Sequence, residues 1–430
     1  MGIVVGTAAL GVPAAAAPIV VEHLMPAYQK AIVEASLKIA DLFNKSQSDI
    51  VVKVTQVPGS LDDYLEALTT RVAGGTPPDV IRMPARLGDV IGRDLVLPLD
   101  NYVQRDGFAC KMLPPALPLS SWHGQLVSVP TSYDAFATYY NVDLWNQAGL
   151  ADPNQLAKSG DWDWHSWVDA AKKMTVDDNA DGKLEIAGIT TLPGPQNMAR
   201  FSLYAHLFGA YYFDSGTGPT QVQMNSEAMV SALSYVNDLV NQQQVLSWPQ
   251  RWFHEGTSGM TPDGDWEIGF IRQGNAKLNW DVAPMPAGPA GEDPVVHVTG
   301  FQIAKQSPHP DAAWKWLRFL ASDPQAVKIF MTLSGEPPAC ADIAPSYAGT
   351  VVQNGSPQHV GVLIDAVLKA KGTPIIPVVP GYSDFNAAFG KEIKAMLGGK
   401  QSPGETANRL QQEFTTILAR VNGDGAAPSQ

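Results

Sequence analysis

The chain has 430 residues, of which 45 % are hydrophobic and 17 % are charged. This balance is typical of folded globular proteins and excludes a disordered chain. The length exceeds that of one ordinary core, so two lobes are expected. The formal net charge of −13 repels polyphosphates and argues against a nucleic-acid partner.

The first 17 residues are uncharged, with an apolar stretch followed by four alanines at 14–17. This pattern is typical of a secretion signal, although a basic start is missing, and a disordered apolar tail is the alternative. No cysteine follows it, so no lipid anchor is expected, and no later apolar run is long enough to span a membrane. We therefore expect a periplasmic or extracellular protein.

The next elements alternate between β-branched and helical patterns. Apolar residues at 19–21, 50–56 and 79–81 predict strands, and the spacing at 27–44 and 61–73 predicts helices. Strands that alternate with helices indicate a parallel sheet covered by helices. Such sheets bind ligands beyond the carboxyl ends of their strands.

The second half has a similar α/β pattern. An aromatic strand is predicted at 131–141, and helices are predicted at 164–174, 225–243 and 310–321. The two cysteines, Cys110 and Cys340, form either one disulfide or two unpaired thiols.

An acidic motif at 177–185 resembles the start of a calcium loop. Its twelfth position is Gly188 instead of the bidentate Glu that such a loop requires, so a tight turn is the better interpretation. Neither a phosphate-binding P-loop nor a G-x-S-x-G nucleophile motif is present in the sequence. The sequence motifs therefore predict no metal and no cofactor.

Several short motifs occur in a recognisable order. They are AGGTPPDVI at 73–81, LVLPLD at 95–100, VPTSYDAFATYYN at 129–141, WDWHSW at 162–167, MTPDGDW at 260–266, WDVAPMP at 280–286, TGFQIA at 299–304 and HPDAAW at 309–314. In this order, over about 20–418, the chain resembles the bacterial extracellular solute-binding proteins of the maltose-binding type.

The resemblance implies an α/β fold of two lobes, the type II periplasmic-binding-protein fold, with a mostly parallel sheet in each lobe and a hinge between them. Lobe one would comprise 18–132 and 296–338, and lobe two 133–295 and 339–430. The implied function is that of a monomeric, non-enzymatic subunit that captures a sugar-type ligand in the cleft. It would deliver that ligand to an ABC permease pair in the membrane.

Aromatic rings and carboxylates suit the two kinds of surface that a sugar presents. By resemblance, Trp266 stacks on a sugar ring and Asp134 binds hydroxyls, the alternatives being a packing indole and a hinge residue. Glu22 and His23 follow the first predicted strand, where relatives have polar ligand contacts and where a solvated loop is the alternative.

Arg86 stands where the family often has a sugar-binding Asp. Because Arg binds carboxylate and phosphate in a fork, this departure admits an acidic or phosphorylated sugar or polyol, such as a glycerol phosphate. Gly300 matches a glycine that lets the backbone approach the ligand. A looser alignment adds four ligand-binding candidates: Asn197, Arg200, Tyr382 and Asn386.

Two other functions stay open at this point. A sensory binding protein would hand its closed form to a receptor, and the sequence does not separate this role from import. An enzyme on the same scaffold would need a nucleophile such as Cys110, whose apolar neighbours indicate packing instead.

Overall fold

The computed structural model describes residues 17–84, 86–178, 184–191, 194–246, 253–352, 357–371 and 374–424. Within them the strands are β1 (Ile19–Pro26), β2 (Ile50–Val57), β3 (Val80–Ile81), β4 (Ser121–Trp122), β5 (Gln125–Leu126), β6 (Val129–Asn141), β7 (Ala187–Ile189), β8 (Ser258–Gly264), β9 (Trp280–Ala283) and β10 (Val296–Ile303).

The helices of the same residues alternate with these strands. They are α1 (Lys30–Ser46), α2 (Leu61–Ala73), α3 (Leu87–Ile91), α4 (Asp100–Asp106), α5 (Ala116–Leu119), α6 (Val142–Gln147), α7 (Pro153–Ser159), α8 (Trp164–Met174), α9 (Met198–Ala205), α10 (Glu227–Asn241), α11 (Glu267–Gly274), α12 (Pro310–Ser322), α13 (Pro324–Ser334), α14 (Tyr347–Val351), α15 (Gly361–Lys369), α16 (Tyr382–Leu397) and α17 (Pro403–Asp424).

The first lobe is built on β2, β1, β3 and β10, in that order. β1 is parallel to β2 and β3, whereas β10 returns antiparallel to β3. Helix α2 begins at a capping box in which Ser60 and Asp63 bond each other's backbone amides, as the sequence pattern requires. The fully buried indoles of Trp314 and Trp316 on α12 fill the core beside this sheet.

Strand β6 is shared by the two lobes. Its first half pairs with β10, opposite Val296 to Phe301, and its second half pairs with β8 and β9. All of its 13 residues are buried. The strand therefore forms the hinge that the resemblance predicts, and residues near its midpoint face both lobes.

The second lobe is built on the second half of β6 with β8, β7 and β9. β7 is parallel to β8, and the helices α8, α9, α10, α16 and α17 share one core that includes Trp167 and Phe201. This arrangement positions the start of α9 and the end of β8 beside the hinge.

The described part of the segment 344–367, which is 344–352 and 357–367, packs against the hinge strand; Arg272 donates a hydrogen bond of 2.5 Å to the Val351 carbonyl and His359 pairs with Asp281 at 2.7 Å. Its apolar residues share a core with both the first sheet and Trp280 on β9. The lobe boundaries given above stay a prediction.

The strand and helix predictions are largely confirmed. Helices α2 and α8 have the predicted bounds, and α1, α10 and α12 differ at their ends by one to three residues. The first strand was predicted too short, because β1 continues to Pro26. Cys110 and Cys340 form a disulfide with Cα atoms 5.8 Å apart, so the paired alternative holds.

Two sequence predictions fall wholly or partly outside the described residues. They are the signal-like segment at 1–17, of which only Ala17 is described, and the acidic loop at 177–185, whose middle is not described. Within the described ranges, no group of His, Cys, Asp and Glu has an arrangement that could hold a metal ion. No described helix combines the length and apolar character needed to cross a bilayer.

Candidate functional site

A cleft of about 740 Å³ opens between the two lobes at the hinge. This volume lies within the range of small-molecule sites. The first lobe contributes Tyr28, Gln29, Lys30, Ala31, Ile32, Leu61, Arg82, Pro84 and Arg86; the second contributes Asn197, Ala199, Arg200, Asp263, Trp266, Gly269, Phe270, Gln273, Ile375, Ile376 and Tyr382. The hinge region contributes Asp134, Phe136, Thr299, Ser334 and Glu336.

The cleft brings together six of the ten predicted ligand-binding residues. They are Arg86, Asp134, Asn197, Arg200, Trp266 and Tyr382. The other four predicted residues, Glu22, His23, Gly300 and Asn386, do not line it, and each has a structural role instead.

Glu22 and His23 lie within β1 because the strand continues five residues beyond the predicted end at residue 21. Glu22 forms a two-pronged ion pair with Arg71, at 2.8 and 2.6 Å, on the α2 side of the sheet. The residues that do follow the strand, Tyr28 and Gln29, line the cleft. The cleft therefore lies beyond the carboxyl end of β1, as expected, but it is lined by later residues than predicted.

His23 is fully buried between Phe301 and Trp316, whose ring centroids are 4.9 and 6.0 Å from its own. Burial, assisted by the positive charge of Arg82, lowers the pKa of His23 to about 3. The imidazole is therefore neutral at physiological pH and belongs to the core of the first lobe.

Gly300 and Asn386 support the cleft from behind. A Cβ on Gly300 would lie 2.3 Å from the Val129 carbonyl oxygen, so the glycine permits close approach of β6 and β10 rather than of a ligand. The Asn386 side chain accepts a hydrogen bond of 2.9 Å from the Met198 amide at the start of α9. This contact fixes the end of the helix that carries Asn197 and Arg200.

A cluster of buried charged residues lies at the hinge end of the cleft. Of this cluster, only Asp134 was predicted from the sequence. Arg82, 1 % exposed, lies with Nη2 3.7 Å from a Glu336 carboxylate oxygen, and its Nε donates to Gln29 at 3.0 Å. Glu336 also accepts hydrogen bonds from Ser132 and Thr299. The cluster is thus held by strands of both crossing segments.

Asp134 lies in this cluster on β6 and is 8 % exposed. Burial and the nearby Glu336 charge raise its pKa well above the ordinary aspartate value, while Arg82 and Arg200 partly oppose the shift. No described residue donates a hydrogen bond to its carboxyl group. Asp134 is therefore available to a ligand hydroxyl at the floor of the cleft.

The second-lobe wall is organised around Arg200. Its Nη2 lies 2.9 Å from Asp263 Oδ1, and its guanidinium carbon lies 5.0 Å from the centroid of the Trp266 ring. Arg200 is positioned by the start of α9, where Asn197 accepts a bond from its backbone amide at 3.3 Å. Asn197 is therefore a helix cap as well as a cleft residue.

Trp266 owes its position to the motif around it. A Cβ on Gly264 would lie 2.3 Å from the indole, so only glycine leaves room for the ring. The indole also meets Phe136 edge to face at 5.2 Å, which ties it to the hinge strand. The geometry therefore explains both Gly264 and Trp266 in the motif MTPDGDW at 260–266.

Arg86 does not offer a free guanidinium to a ligand. Its Nε bonds Asp89 at 2.6 Å, Nη1 bonds Asp62 at 2.7 Å and Nη2 donates to Ser383 at 2.6 Å. Asp62 and Asp89 belong to the first lobe and Ser383 to the second. The Arg86 guanidinium, which was predicted to bind an acidic ligand, is therefore already hydrogen-bonded to side chains of the protein.

Two aromatic cleft residues, Tyr28 and Phe270, carry no motif that predicts them. Tyr28 follows β1 and is 48 % exposed, and Phe270 on α11 is 43 % exposed, so each presents ring surface at the cleft from a different lobe. Tyr28 could have been found by extending β1 through the apolar residues that follow His23. Phe270 lies one helical turn after Trp266, a spacing that places both on one helix face.

The described lining thus combines aromatic surface from both lobes with buried hydrogen-bonding groups at a hinge. A family model described as "Bacterial extracellular solute-binding protein" matches residues 22–327. The chain belongs to this family. Members of the family are extracellular by that description, and the chain is a solute-binding protein.

Proteins of similar sequence are also described as binding proteins. A putative binding protein of Brucella abortus (strain 2308) is 27 % identical over 391 residues, covering 89 % of each chain. The maltodextrin-binding protein MdxE of Bacillus subtilis (strain 168) is 27 % identical over 218 residues, covering 47 % of this chain and 48 % of that one.

Solved structures confirm the two-lobed fold. The ABC substrate-binding protein Lmo0181 of Listeria monocytogenes, in complex with cycloalternan, aligns with a TM-score of 0.77 at 22 % identity. The alignment covers 93 % of this chain and 99 % of that one. Both this chain and that structure therefore have the α/β periplasmic-binding-protein architecture.

Proposed function

We propose that this protein is the extracytoplasmic substrate-binding subunit of an ABC importer and captures a neutral carbohydrate in the cleft. The observation that carries the proposal is that one cleft is lined by both the Trp266 indole and the Asp134 carboxyl group, to which no described residue donates a hydrogen bond. The indole offers a flat face for sugar C–H groups, and the carboxyl group offers an acceptor for hydroxyls. The similarity to the maltodextrin-binding protein MdxE supports the same ligand class.

The pairing of charges favours a neutral ligand over an acidic one. Arg86 is bonded to Asp62 and Asp89, and Arg200 is paired with Asp263. Arg82 faces Glu336. At these three arginines, a ligand carboxylate or phosphate would therefore have to displace an existing ion pair or approach a buried carboxyl group, at a cost in affinity.

No chemical step is assigned to the cleft. The lobes close over the ligand and bury it, and the closed form docks on a pair of permease subunits in the membrane. Ligand release to the permease then requires the lobes to separate at the hinge.

A thermal-shift screen tests the ligand class. The panel contains maltotriose, an arabino-oligosaccharide, neutral monosaccharides, a sugar acid and a sugar phosphate. A ligand present at 100 times its Kd stabilises the protein by about 2.7 kcal/mol and raises Tm. A shift only with the sugar acid or the sugar phosphate would contradict the neutral ligand, and no shift with any saccharide would contradict the function.

A matched pair of variants links binding to the cleft. Trp266 and Trp164 both pack, partly buried, against the same second-lobe core, but only Trp266 lines the cleft. We expect Trp266→Phe to weaken saccharide binding in calorimetric titration and Trp164→Phe to leave it unchanged. Equal losses in both variants would show that the second lobe, and not the cleft, had been perturbed.

A further inference from the structure

A set of contacts joins the two lobes beside the cleft. On the first lobe they involve Arg86, Gly88 and Asp89, at the start of α3. On the second they involve the segment 374–383, which lines the cleft through Ile375, Ile376 and Tyr382. We call this set of residues the clasp.

The polar half of the clasp has Arg86 at its centre. Arg86 binds Asp89 and Asp62 in its own lobe and donates to Ser383 Oγ, at 2.6 Å, in the other. Asp89, held by this ion pair, accepts a hydrogen bond of 3.2 Å from the Tyr382 amide. Both bonds across the lobes end at the first turn of α16.

The apolar half of the clasp is a close backbone approach. A Cβ on Gly88 would lie 2.1 Å from the Val379 carbonyl oxygen, so only glycine allows this contact. Next to it, Val378 is 2 % exposed and lies in a core cluster whose other members, such as Leu87 and Val90, belong to the first lobe. A second-lobe side chain therefore fills a first-lobe pocket.

We infer that the clasp holds the lobes together over the cleft and sets how long a ligand stays bound, with Arg86 as a positioning residue that acts through Asp89 on Tyr382. Tyr382 lines the cleft, so the clasp fixes one wall of the ligand site. The role of the clasp in ligand retention rests on the proposed function. Whether the clasp forms can be tested on the ligand-free protein.

The Tyr382 amide provides a specific readout. It is the first residue of α16, and amides in the first turn of a helix have no acceptor within the helix. Its described acceptor is the Asp89 carboxylate in the other lobe. Slow hydrogen exchange at this amide therefore reports a formed clasp, whereas a merely structural contribution of Arg86 to its own lobe would not change it.

The experiment measures hydrogen–deuterium exchange at the Tyr382 amide in the ligand-free full chain, resolved to single residues by fragmentation. Hydrogen bonds to charged groups contribute about 1.5–3 kcal/mol, so losing the Asp89 contact should accelerate exchange about tenfold or more. We expect this acceleration in Arg86→Ala and in Ser383→Ala, the latter substitution being on an exposed residue.

Gly88→Ala is an independent variant that changes no charge. Alanine suits the α3 helix better than glycine does, but its Cβ would push Val379 away. It should therefore accelerate exchange at Tyr382 without loss of helix. Arg93→Ala is the matched control, because the Arg93 side chain bonds Thr69 within the first lobe.

Each outcome decides the inference. Exchange of the wild-type amide at the rate of an unprotected peptide would overturn it, as would equal effects of Arg86→Ala and Arg93→Ala. If saccharides fail to bind while the clasp variants respond as expected, the proposed ligand class is wrong and the clasp stands. Once a binding saccharide is known, faster dissociation from Arg86→Ala than from Arg93→Ala should follow in stopped-flow fluorescence.

Discussion

The guanidinium carbon of Arg200 lies 5.0 Å from the centre of the Trp266 ring, while Nη2 of the same group lies 2.9 Å from Asp263. The indole is thus fixed by a cation that is itself fixed by a buried carboxylate. Such preorganisation lowers the cost of ordering the site when a ligand arrives.

Replacing this cation by a smaller one should impair the aromatic platform. Arg200→Lys keeps the charge beside Asp263 but loses the planar fork and its contact with the ring. We expect saccharide affinity to fall about tenfold, since cation–π contacts and charged hydrogen bonds each contribute on the order of 1–2 kcal/mol. Isothermal titration measures the change, with the exposed Arg420→Lys as control; equal affinities in the two variants would contradict this role.

The Asp134 carboxylate should lower the stability of the folded protein while it contributes to saccharide binding. Because its folded-state pKa is raised, the folded protein prefers the protonated carboxyl group, and stability falls as pH rises from about 3.8 through the raised folded value. Asp134→Asn removes this penalty. The variant should therefore melt higher than wild type at neutral pH, and the difference should vanish as pH falls below about 3.8.

The same Asp134→Asn variant should bind saccharide more weakly, because an amide is a poorer acceptor than a carboxylate for ligand hydroxyls. Differential scanning calorimetry and titration on one sample separate the two effects. Asp94→Asn, at an exposed site, is the control for the loss of charge. A lower Tm at neutral pH in Asp134→Asn would show that the carboxylate stabilises the hinge instead.

Glu22→Gln should affect stability and leave ligand binding unchanged. The hydrogen bond from Arg71 is the main cause of the lowered pKa of Glu22, so the pair stabilises the fold above the ordinary value of 4.5 and loses this effect as pH falls below it. Because both side chains are partly exposed, the loss at neutral pH should be no more than about 1 kcal/mol. Urea unfolding at pH 7 and pH 3 measures it, and a loss of ligand affinity would place Glu22 in the site after all.

Reduction of the disulfide should destabilise the fold. Cys110 and Cys340 are 230 residues apart, so their bond constrains a long segment of the unfolded chain. We expect a loss of about 2–4 kcal/mol on reduction, measured by guanidinium unfolding with and without dithiothreitol. The Cys110→Ser, Cys340→Ser double variant should be insensitive to reductant; an unchanged midpoint in reduced wild type would contradict the prediction.

The sequence predicted the fold and the residues that motifs mark, but it did not predict long-range partners. Trp266 and Asp134 were found because glycine spacing and the crossing strand define their surroundings locally. The role of Arg86 depends on Ser383, 297 residues away, and no local pattern connects the two. A lone arginine after a strand looks like a ligand contact until its partners are known.

The errors at Glu22 and His23 have a different physical origin. Both followed from ending β1 at residue 21, and strand ends are poorly marked when no Gly or Pro follows immediately. The strand continues to Pro26, and its alternation turns His23 into the core and Glu22 towards Arg71. The hinge cluster around Arg82 was also hidden, because Glu336 approaches it from a segment that carries no recognisable motif.

The first sheet is completed late in synthesis. Its strand β10 reaches back to β3, and Gln302 on β10 accepts a hydrogen bond from the Met83 amide, 219 residues earlier. The strands of the second sheet all precede β10 in the chain. A growing polypeptide must therefore be synthesised past residue 303 before the amino-terminal lobe can complete its β-sheet. Strand pairs of such large sequence separation should make refolding slow. Shorter fragments of the chain should have an exposed strand edge.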